Sequence, residues 1–355
     1  MPQSLKIIST LFLPMTVTLF FTVHGAFAHK VDSLFQSEEI IRIELRADFS
    51  AIQEDRAEDP DYHEGELVYF MEDGGAVRLT VKIQPRGNFR LNPTNCRFPP
   101  LLVNFKKQKV KNTLFDNQNK LKLVTPCQLE EDVLEEYLIY KMYNLVTDIS
   151  HRVRLAMILY YDTGRDKKLF EKYSFFIEDE DHVAERNDGF EKDKFITPFE
   201  IKPDNIKKLG VFQYIIGNKD WYITSRHNIV IIQPNDTTQA PYAMPYDFDF
   251  SSIINADYTK PKGIPDEMLE KRRIYKGLCY STEEFNEIFD FYRELRPQFE
   301  SLFLNMDGIS KFSRKQAVRY IGDFYDVTED NVRFTKEFLE SCKTRKDYFQ
   351  FEKEE

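Results

Sequence analysis

The sequence predicts an α+β protein of two lobes, a strand-rich N-terminal half and a mainly helical C-terminal half. Segments in which apolar and polar residues alternate, typical of half-buried strands, are concentrated before residue 178. Apolar residues at three- and four-residue spacing, typical of helices, dominate after an acidic run at 178–181. The chain has 355 residues, 42% of them hydrophobic, which is enough for a sizeable core.

The N-terminal lobe is predicted to cover residues 29–178. In residues 77–83 every second side chain is apolar, so one face of this strand should be buried. The turn Glu72-Asp73-Gly74-Gly75 joins it to the preceding apolar segment. The expected elements are a β-hairpin at 67–71 and 77–83, strands at 101–105 and 120–124, a helix at 130–147, and strands at 155–161 and 172–177.

The C-terminal lobe is predicted to cover residues 179–355, with the chemistry concentrated in 212–250. The acidic run at 178–181 is expected to be a solvated connector between the lobes. Ser281 and Glu284 have the spacing of a capping box at the start of a long amphipathic helix. Two further helices are expected near 314–324 and 329–342.

Composition and motif content exclude several classes of protein. The net charge of −10 argues against binding to nucleic acid, which requires a basic surface. A mean hydropathy of −0.50 excludes a multi-span membrane protein. The glycine-rich phosphate loops of Rossmann and P-loop proteins, the zincin motif H-E-x-x-H and the esterase motif G-x-S-x-G are all missing from the sequence.

The first 28 residues have the pattern of a cleavable export signal. Lys6 precedes an apolar run at 7–23, and Ala26-Phe27-Ala28 matches the A-x-A pattern of signal peptidase sites. An uncleaved anchor helix is the competing interpretation, which Pro14 weakens. We therefore expect an exported protein, periplasmic or extracellular, without a stable membrane span after cleavage.

The cysteines suit an oxidising compartment. All 4 lie after the predicted cleavage site, and an even count in an exported chain predicts disulfides, with three pairings open. The sequence-nearest pairing joins Cys96 to Cys127 and Cys279 to Cys342. Four buried free thiols are the alternative.

Polar residues in 212–250 interrupt apolar segments at three places. Asp220 closes a helix-like run, Asn228 opens a β-branched strand, and Asp247 and Asp249 fall in a second strand expected at 243–250. If residues 229–232 and 243–246 pair as a hairpin, Asn228 and Asp247 lie at the same open end.

These residues predict a site for phosphoryl transfer. Asn228 and Asp247 could share Mg²⁺, which prefers oxygen ligands, and Asp220 could orient or deprotonate a nucleophile. Asp247 and Asp249 would point the same way on a strand, so their repulsion would require a cation or basic partners. A base Asp, then a metal-binding Asn, then a metal-binding Asp is the order found in kinases.

The N-terminal half contains a lysine and a glutamate that could act together with these residues in a kinase-like site. Lys122 lies on a predicted strand and Glu136 on the following helix, as a phosphate-binding lysine and its glutamate partner would. Lys106 and Arg86 are rivals for the role of Lys122. Arg86, or backbone amides near Gly87, could replace the missing glycine-rich nucleotide loop.

Several segments together carry a family resemblance: Arg86-Gly87-Asn88, the strand at 120–124, the helix at 130–147, Ile216-Gly217-Asn218 with Asp220-Trp221, His227-Asn228, and Pro245-Tyr246-Asp247-Phe248-Asp249. They resemble the spore coat protein H (CotH)-like kinase family, and more closely its exported bacterial branch. The resemblance spans about residues 65–255. It implies a two-lobed, protein-kinase-like fold and the use of ATP with Mg²⁺ or Mn²⁺ on secreted or coat proteins. By this resemblance Asp220 is the catalytic base, and Asn228 and Asp247 are metal ligands.

One spacing departs from that of ordinary kinases. Asp220 and Asn228 lie 8 positions apart, against about 5 in the kinase catalytic loop, so the connecting loop must be built differently. The acceptor could be a protein or a small molecule. The sequence leaves open a catalytically silent binding or scaffold protein, a metal-dependent hydrolase, and nucleotidyl instead of phosphoryl transfer.

Overall fold

The structure is a computed structural model that describes residues 32–254, 256, 259 and 273–349. The predicted signal peptide at 1–28 lies outside these residues. Within the described part of the chain, no helix is both long and apolar enough to cross a membrane.

Seven strands form a closed barrel. In chain order they are β1 (Ile41–Ala47), β2 (His63–Phe70), β3 (Ala76–Pro85), β4 (Leu101–Phe105), β5 (Lys120–Val124), β6 (Val153–Asp162) and β7 (Lys167–Ile177). Their order around the barrel is β1-β2-β3-β4-β5-β7-β6. Neighbouring strands are antiparallel except β1 and β6, whose parallel pairing places Ile41 opposite Ala156 and closes the barrel.

The predicted two-lobed, protein-kinase-like fold is wrong, because the sheet is a closed barrel and not an open lobe. The strand that closes it is β1, which was not predicted. Ile43 lies opposite Tyr69 of β2 on one side and Ile158 of β6 on the other. Both edges of β1 are therefore paired, and the barrel encloses an apolar core of its own, which includes Leu45, Leu67 and Phe115.

In the part of the chain that the structure describes, the helices follow the barrel strands in sequence, apart from two that lie between them. They are α1 (Phe49–Glu54), α2 (Glu130–Val146), α3 (Glu180–Arg186), α4 (Pro203–Ile216), α5 (Thr282–Leu304), α6 (Lys311–Glu329), α7 (Asn331–Phe334) and α8 (Arg345–Phe349). A π-helical turn, Thr335–Leu339, continues α7. Short 3₁₀ turns occur at Ser33–Phe35 and Pro198–Glu200.

Helix α2 connects the barrel to the other helices. Tyr140 packs on Phe175 of β7 with ring centroids 5.7 Å apart, and Tyr143 packs on Phe212 of α4 at 4.7 Å. The same apolar core continues into α5 and α6. Because α2 is covered on nearly every side, most of its side chains are buried.

A small second sheet carries the segment from which chemistry was predicted. Its strands are β8 (Gly189–Glu191), β9 (Ile229–Pro234) and β10 (Tyr242–Pro245), in the order β10-β9-β8. The predicted β9–β10 hairpin is confirmed, with Pro245 opposite Ile229. The predicted extension of the second strand to residue 250 is wrong, because β10 ends at Pro245.

Other local predictions agree with the structure. The hairpin β2–β3, strands β4 and β5, helix α2 and the capping box at Ser281 are confirmed. The acidic run is not a solvated connector: Glu178 is buried and paired with Arg186, and Glu180 begins α3.

Both disulfides follow the sequence-nearest pairing. Cys96 is bonded to Cys127, and Cys279 to Cys342, which leaves no free cysteine in the chain. Disulfides persist in oxidising compartments, so this pairing is typical of proteins outside the cytoplasm.

Candidate functional site

A cavity of about 320 Å³ takes in every residue predicted for the site. It lies among the turn after β3, strand β5, helix α2, and the segments that follow α4 and β10. The predicted residues that line it are Arg86, Lys122, Glu136, Asp220, Asn228, Asp247 and Asp249. Of the two rivals for Lys122, Arg86 lines this cavity, and Lys106 is not among its described lining residues.

Asp220 lies in a loop that is fixed at the end of α4. Gly217 ends this helix with a φ of 66°, a left-handed conformation that glycine adopts without steric strain. The amide of Asn218 donates to the Gln213 carbonyl at 2.9 Å, and the Asn218 side chain accepts from the Asp220 amide at 2.9 Å. The end of α4 and the hydrogen bonds after it therefore fix the position of Asp220.

Both carboxylate oxygens of Asp220 have hydrogen-bond partners. Oδ1 lies 2.8 Å from Nε2 of His227, and Oδ2 accepts from Nδ2 of Asn228 at 3.1 Å. The same Asn228 amide donates to the Asp220 main-chain carbonyl at 2.8 Å. The side chains of Asp220 and His227 are 39% and 49% exposed, so this oriented carboxylate is accessible from solvent.

Asn228 and Asp247 lie at the same end of the β9–β10 hairpin, as its register requires. The Tyr246 amide donates to the Asn228 carbonyl at 3.1 Å, and the Asp247 amide donates to the Tyr140 hydroxyl at 2.9 Å. Both residues adopt positive φ, 53° at Asn228 and 59° at Asp247. Asn and Asp adopt this left-handed conformation more readily than most other residues.

Asp247 and Asp249 do not share a strand face, which corrects the prediction. They follow the end of β10, and Asp249 is 4% exposed. With Glu136 they form a carboxylate cluster. Burial raises the pKa of Glu136 well above its usual range, and the charges of Asp249 and Asp247 raise it further. The charges of Arg90 and Arg86 lower this pKa but do not cancel the increase.

The predicted pairing of Lys122 with Glu136 is wrong. Nζ of Lys122 lies 2.9 Å from Oε2 of Glu180, whereas Oε2 of Glu136 lies 3.8 Å from Nη1 of Arg90. The reason is the strand order: β5 pairs with β7, with Lys122 opposite Ile177, and α3 begins at Glu180 just beyond that strand.

Several polar residues at the site were not predicted, among them Arg90 and His151, which line the cavity, and Glu180, which pairs with Lys122. His151 is buried and lines the cavity, and its Nδ1 lies 2.8 Å from the Glu178 carbonyl. Burial, with the nearby charge of Lys122, lowers the pKa of His151 to about 4. The acidic run at 178–181 was the available signal for Glu180, but it was interpreted as a connector.

The donor set suits a hard divalent cation that is shared with phosphate. Among the described residues, no group of three or more His, Cys, Asp or Glu side chains is arranged to hold a metal ion. Mg²⁺, however, is usually held by one or two carboxylates together with substrate phosphates and water. Asn228 uses Nδ2 on Asp220, and Asn228 and Asp247 both line the cavity.

The turn after β3 contacts the segment after β10 across the cavity. The rings of Phe89 and Phe250 meet edge to face with centroids 5.1 Å apart. The Arg86 amide donates to the Pro100 carbonyl at 2.9 Å, which ties the start of this turn to the strand beside it. Arg86 is therefore held on the wall that the barrel contributes.

Comparison with known proteins identifies no relative. No protein-family model, curated protein or solved structure matches the chain. The resemblance to CotH-like kinases therefore depends on the motifs quoted above.

Proposed function

We propose that the protein is an exported phosphotransferase that moves the γ-phosphoryl group of ATP to a hydroxyl acceptor on a protein or small molecule. The observation that supports this most is the shared cavity: residues chosen for phosphoryl transfer, and widely separated in sequence, all line it. Its volume of about 320 Å³ is at the lower end of the range for small-molecule sites.

Arg86 and Lys122 would bind the phosphates. Both line the cavity from the barrel side, and each carries a positive charge. Lys122 is held by Glu180 at 2.9 Å and lies 5.3 Å from the centroid of the Tyr246 ring. An ion-paired, partly buried lysine is a suitable point charge for a phosphate, because its position is fixed before the ligand arrives.

Asn228 and Asp247 would hold Mg²⁺ or Mn²⁺, with Asp249 as the alternative carboxylate. Such a cation, when bound, neutralises the charge that develops on the transferring phosphate. The acidic lining of the cavity, Glu136, Asp247 and Asp249, supports this assignment, because a positive charge among carboxylates stabilises them.

Asp220 would accept the proton of the acceptor hydroxyl as its oxygen attacks the γ-phosphorus and the bond to the leaving ADP oxygen breaks. His227 and Asn228 fix the direction of the Asp220 carboxylate. The exposure of Asp220 and His227 would let an acceptor reach this base from solvent. General base catalysis of this kind contributes about 10²- to 10⁴-fold.

The test is incubation of the mature protein with γ-labelled or α-labelled ATP and Mg²⁺ or Mn²⁺. We expect transfer of the γ label alone to protein or to an added hydroxyl acceptor, and its loss in Asp220→Asn. Transfer of the α label would indicate nucleotidyl transfer, and release of free phosphate without transfer would indicate a hydrolase. ATP binding without either reaction would indicate the silent binding protein.

A further inference from the structure

Lys276, which follows the segment of family resemblance, contacts the loop that carries Asp220. Its Nζ donates to the Lys219 carbonyl at 2.8 Å and to the Trp221 carbonyl at 3.1 Å. These are the carbonyls on either side of Asp220. The same ammonium lies 3.4 Å from the centroid of the Tyr222 ring, so one side chain contacts the loop both before and after Asp220.

The segment that carries Lys276 is itself anchored. The Lys343 amide donates to the Gly277 carbonyl at 2.9 Å, and the Cys279 amide donates to the Lys343 carbonyl at 3.1 Å. The Cys279–Cys342 disulfide closes the same contact covalently. Leu278 belongs to the apolar cluster that also contains Trp221. Lys276 thus projects from a fixed support.

The Lys276 ammonium also interacts electrostatically with Asp220. Burial lowers the pKa of this lysine, whereas Tyr222 and Asp220 raise it. The Asp220 carboxylate is therefore within electrostatic range of the Lys276 ammonium.

We propose that Lys276 is a positioning residue for Asp220: it binds the carbonyls of the two residues that flank Asp220 and so keeps the carboxylate aimed into the cavity. This inference depends on the proposed function for its kinetic consequence. Its structural consequence, a loop ordered by Lys276, does not depend on activity.

The experiment compares Lys276→Met, Lys276→Arg and Lys219→Met with the wild-type protein. Lys219 is exposed and lies next to Asp220. Lys219→Met therefore removes a positive charge from the same loop but keeps the hydrogen bonds that Lys276 donates to it. We expect Lys276→Met to lower kcat by about 10- to 100-fold, the effect of a small misplacement of a catalytic group, with the KM for ATP changed less than about twofold. Lys276→Arg should recover most of the kcat, and Lys219→Met should stay near wild type.

Hydrogen–deuterium exchange of residues 217–228 gives a readout that is independent of catalysis. We expect faster exchange in this segment in Lys276→Met and unchanged exchange in Lys219→Met. If Lys276→Met fails to fold, Lys276→Arg is compared with Lys276→Gln. Slower exchange of residues 217–228 in the Arg variant than in the Gln variant supports the inference, and equal exchange in the two overturns it.

Equal exchange and equal kcat in Lys276→Met and wild type would overturn the inference while leaving the phosphotransferase proposal intact. If the wild-type protein transfers no phosphate, the proposed function fails, and exchange alone decides whether Lys276 orders the loop.

Discussion

Asp220 and Asp247 lie in different surroundings, and this difference supports separate roles. Asp220 is partly exposed, and both of its carboxylate oxygens are oriented by neighbours on the same loop. Asp247 follows the end of β10 in a left-handed conformation, and its main-chain amide donates a hydrogen bond to the Tyr140 hydroxyl. An accessible, oriented carboxylate suits a base, and a carboxylate beside Asn228 and the acidic cluster suits a cation.

Alanine substitutions should separate these two roles. Asp247→Ala should weaken metal-dependent ATP binding and abolish turnover, because the phosphates lose charge neutralisation. Asp220→Ala should keep ATP binding near wild type and reduce turnover by about 100-fold or more, since only the proton acceptor is lost. Calorimetric ATP titration and transfer of the γ label measure the two effects.

Asp249→Ala is the internal control for this assignment. If Asp249→Ala loses metal-dependent binding and Asp247→Ala retains it, the metal ligand lies two residues further along the chain. Full activity in both Asp220→Ala and Asp247→Ala would refute the enzymatic role of this cavity.

His151 should make the folded state sensitive to acid. Its pKa falls from 6.5 to about 4 on folding, so between these values the unfolded chain binds a proton that the folded chain does not. This contribution to stability is complete above pH 6.5 and is lost as the pH falls towards 4. From pH 7 to pH 5 we expect a loss of about 1–2 kcal/mol from this residue.

Urea denaturation of wild type and His151→Asn at both pH values tests this. The asparagine amide can replace the Nδ1 donor to the Glu178 carbonyl but does not titrate. The variant should lose less stability than wild type on acidification. An identical pH dependence in the two proteins would show that His151 does not carry the effect.

Among the structural elements, the β9–β10 hairpin was predictable and the chain beyond it was not. The β-branched run at 229–232 and the turn after it define the register that places Asn228 near Asp247. Beyond the end of β10 at Pro245, Asp247 adopts a left-handed conformation, and its amide donates a hydrogen bond to the hydroxyl of Tyr140 in α2. That contact joins distant segments, so alternation along the strand could not reveal it.

The partner of Lys122 was unpredictable for the same reason. A lysine on a strand and a glutamate on the next helix suggested Glu136. The pairing of β5 with β7 instead brings Glu180 to Lys122. Sequence order identified the residues of the cavity but not which charges meet inside it.

The Cys96–Cys127 disulfide should contribute substantially to stability. It joins the loop before β4 to the loop after β5 across a sequence separation of 31. Replacing both cysteines by serine should reduce the free energy of unfolding by about 3 kcal/mol, because the unfolded chain gains freedom. Urea denaturation measures the loss, and non-reducing peptide mapping should recover the Cys96–Cys127 peptide pair. Two free thiols in the exported protein would contradict the pairing.

At the scale of the whole molecule, the closed barrel depends on β1. Residues 41–47 alternate between apolar and polar side chains, so a strand could have been inferred there. Its parallel partner β6 begins more than about 100 residues later, and no local pattern specifies such a pairing. The barrel therefore had to be learned from the structure, although most of its strands were predicted.

The substitution Glu44→Pro tests whether β1 closes the barrel. Glu44 lies opposite Val68 of β2 and Leu159 of β6, so β1 is an interior strand at this position. Glu44→Pro removes a ladder hydrogen bond and should destabilise the protein by about 1–3 kcal/mol, the cost of a buried partner left unsatisfied. Glu58→Pro, in an exposed bend, is the control and should change stability little. Equal unfolding midpoints for the two variants would contradict a closed barrel.

The central claim is that the cavity binds ATP through a divalent cation, and calorimetric titration of ATP into the mature protein tests it most directly. The account predicts binding by wild type in Mg²⁺, little or none in EDTA, and an affinity about tenfold or more weaker in Asp247→Asn, the effect of losing one charged contact. Absence of binding in Mg²⁺, or equal affinity with and without the cation, would contradict it.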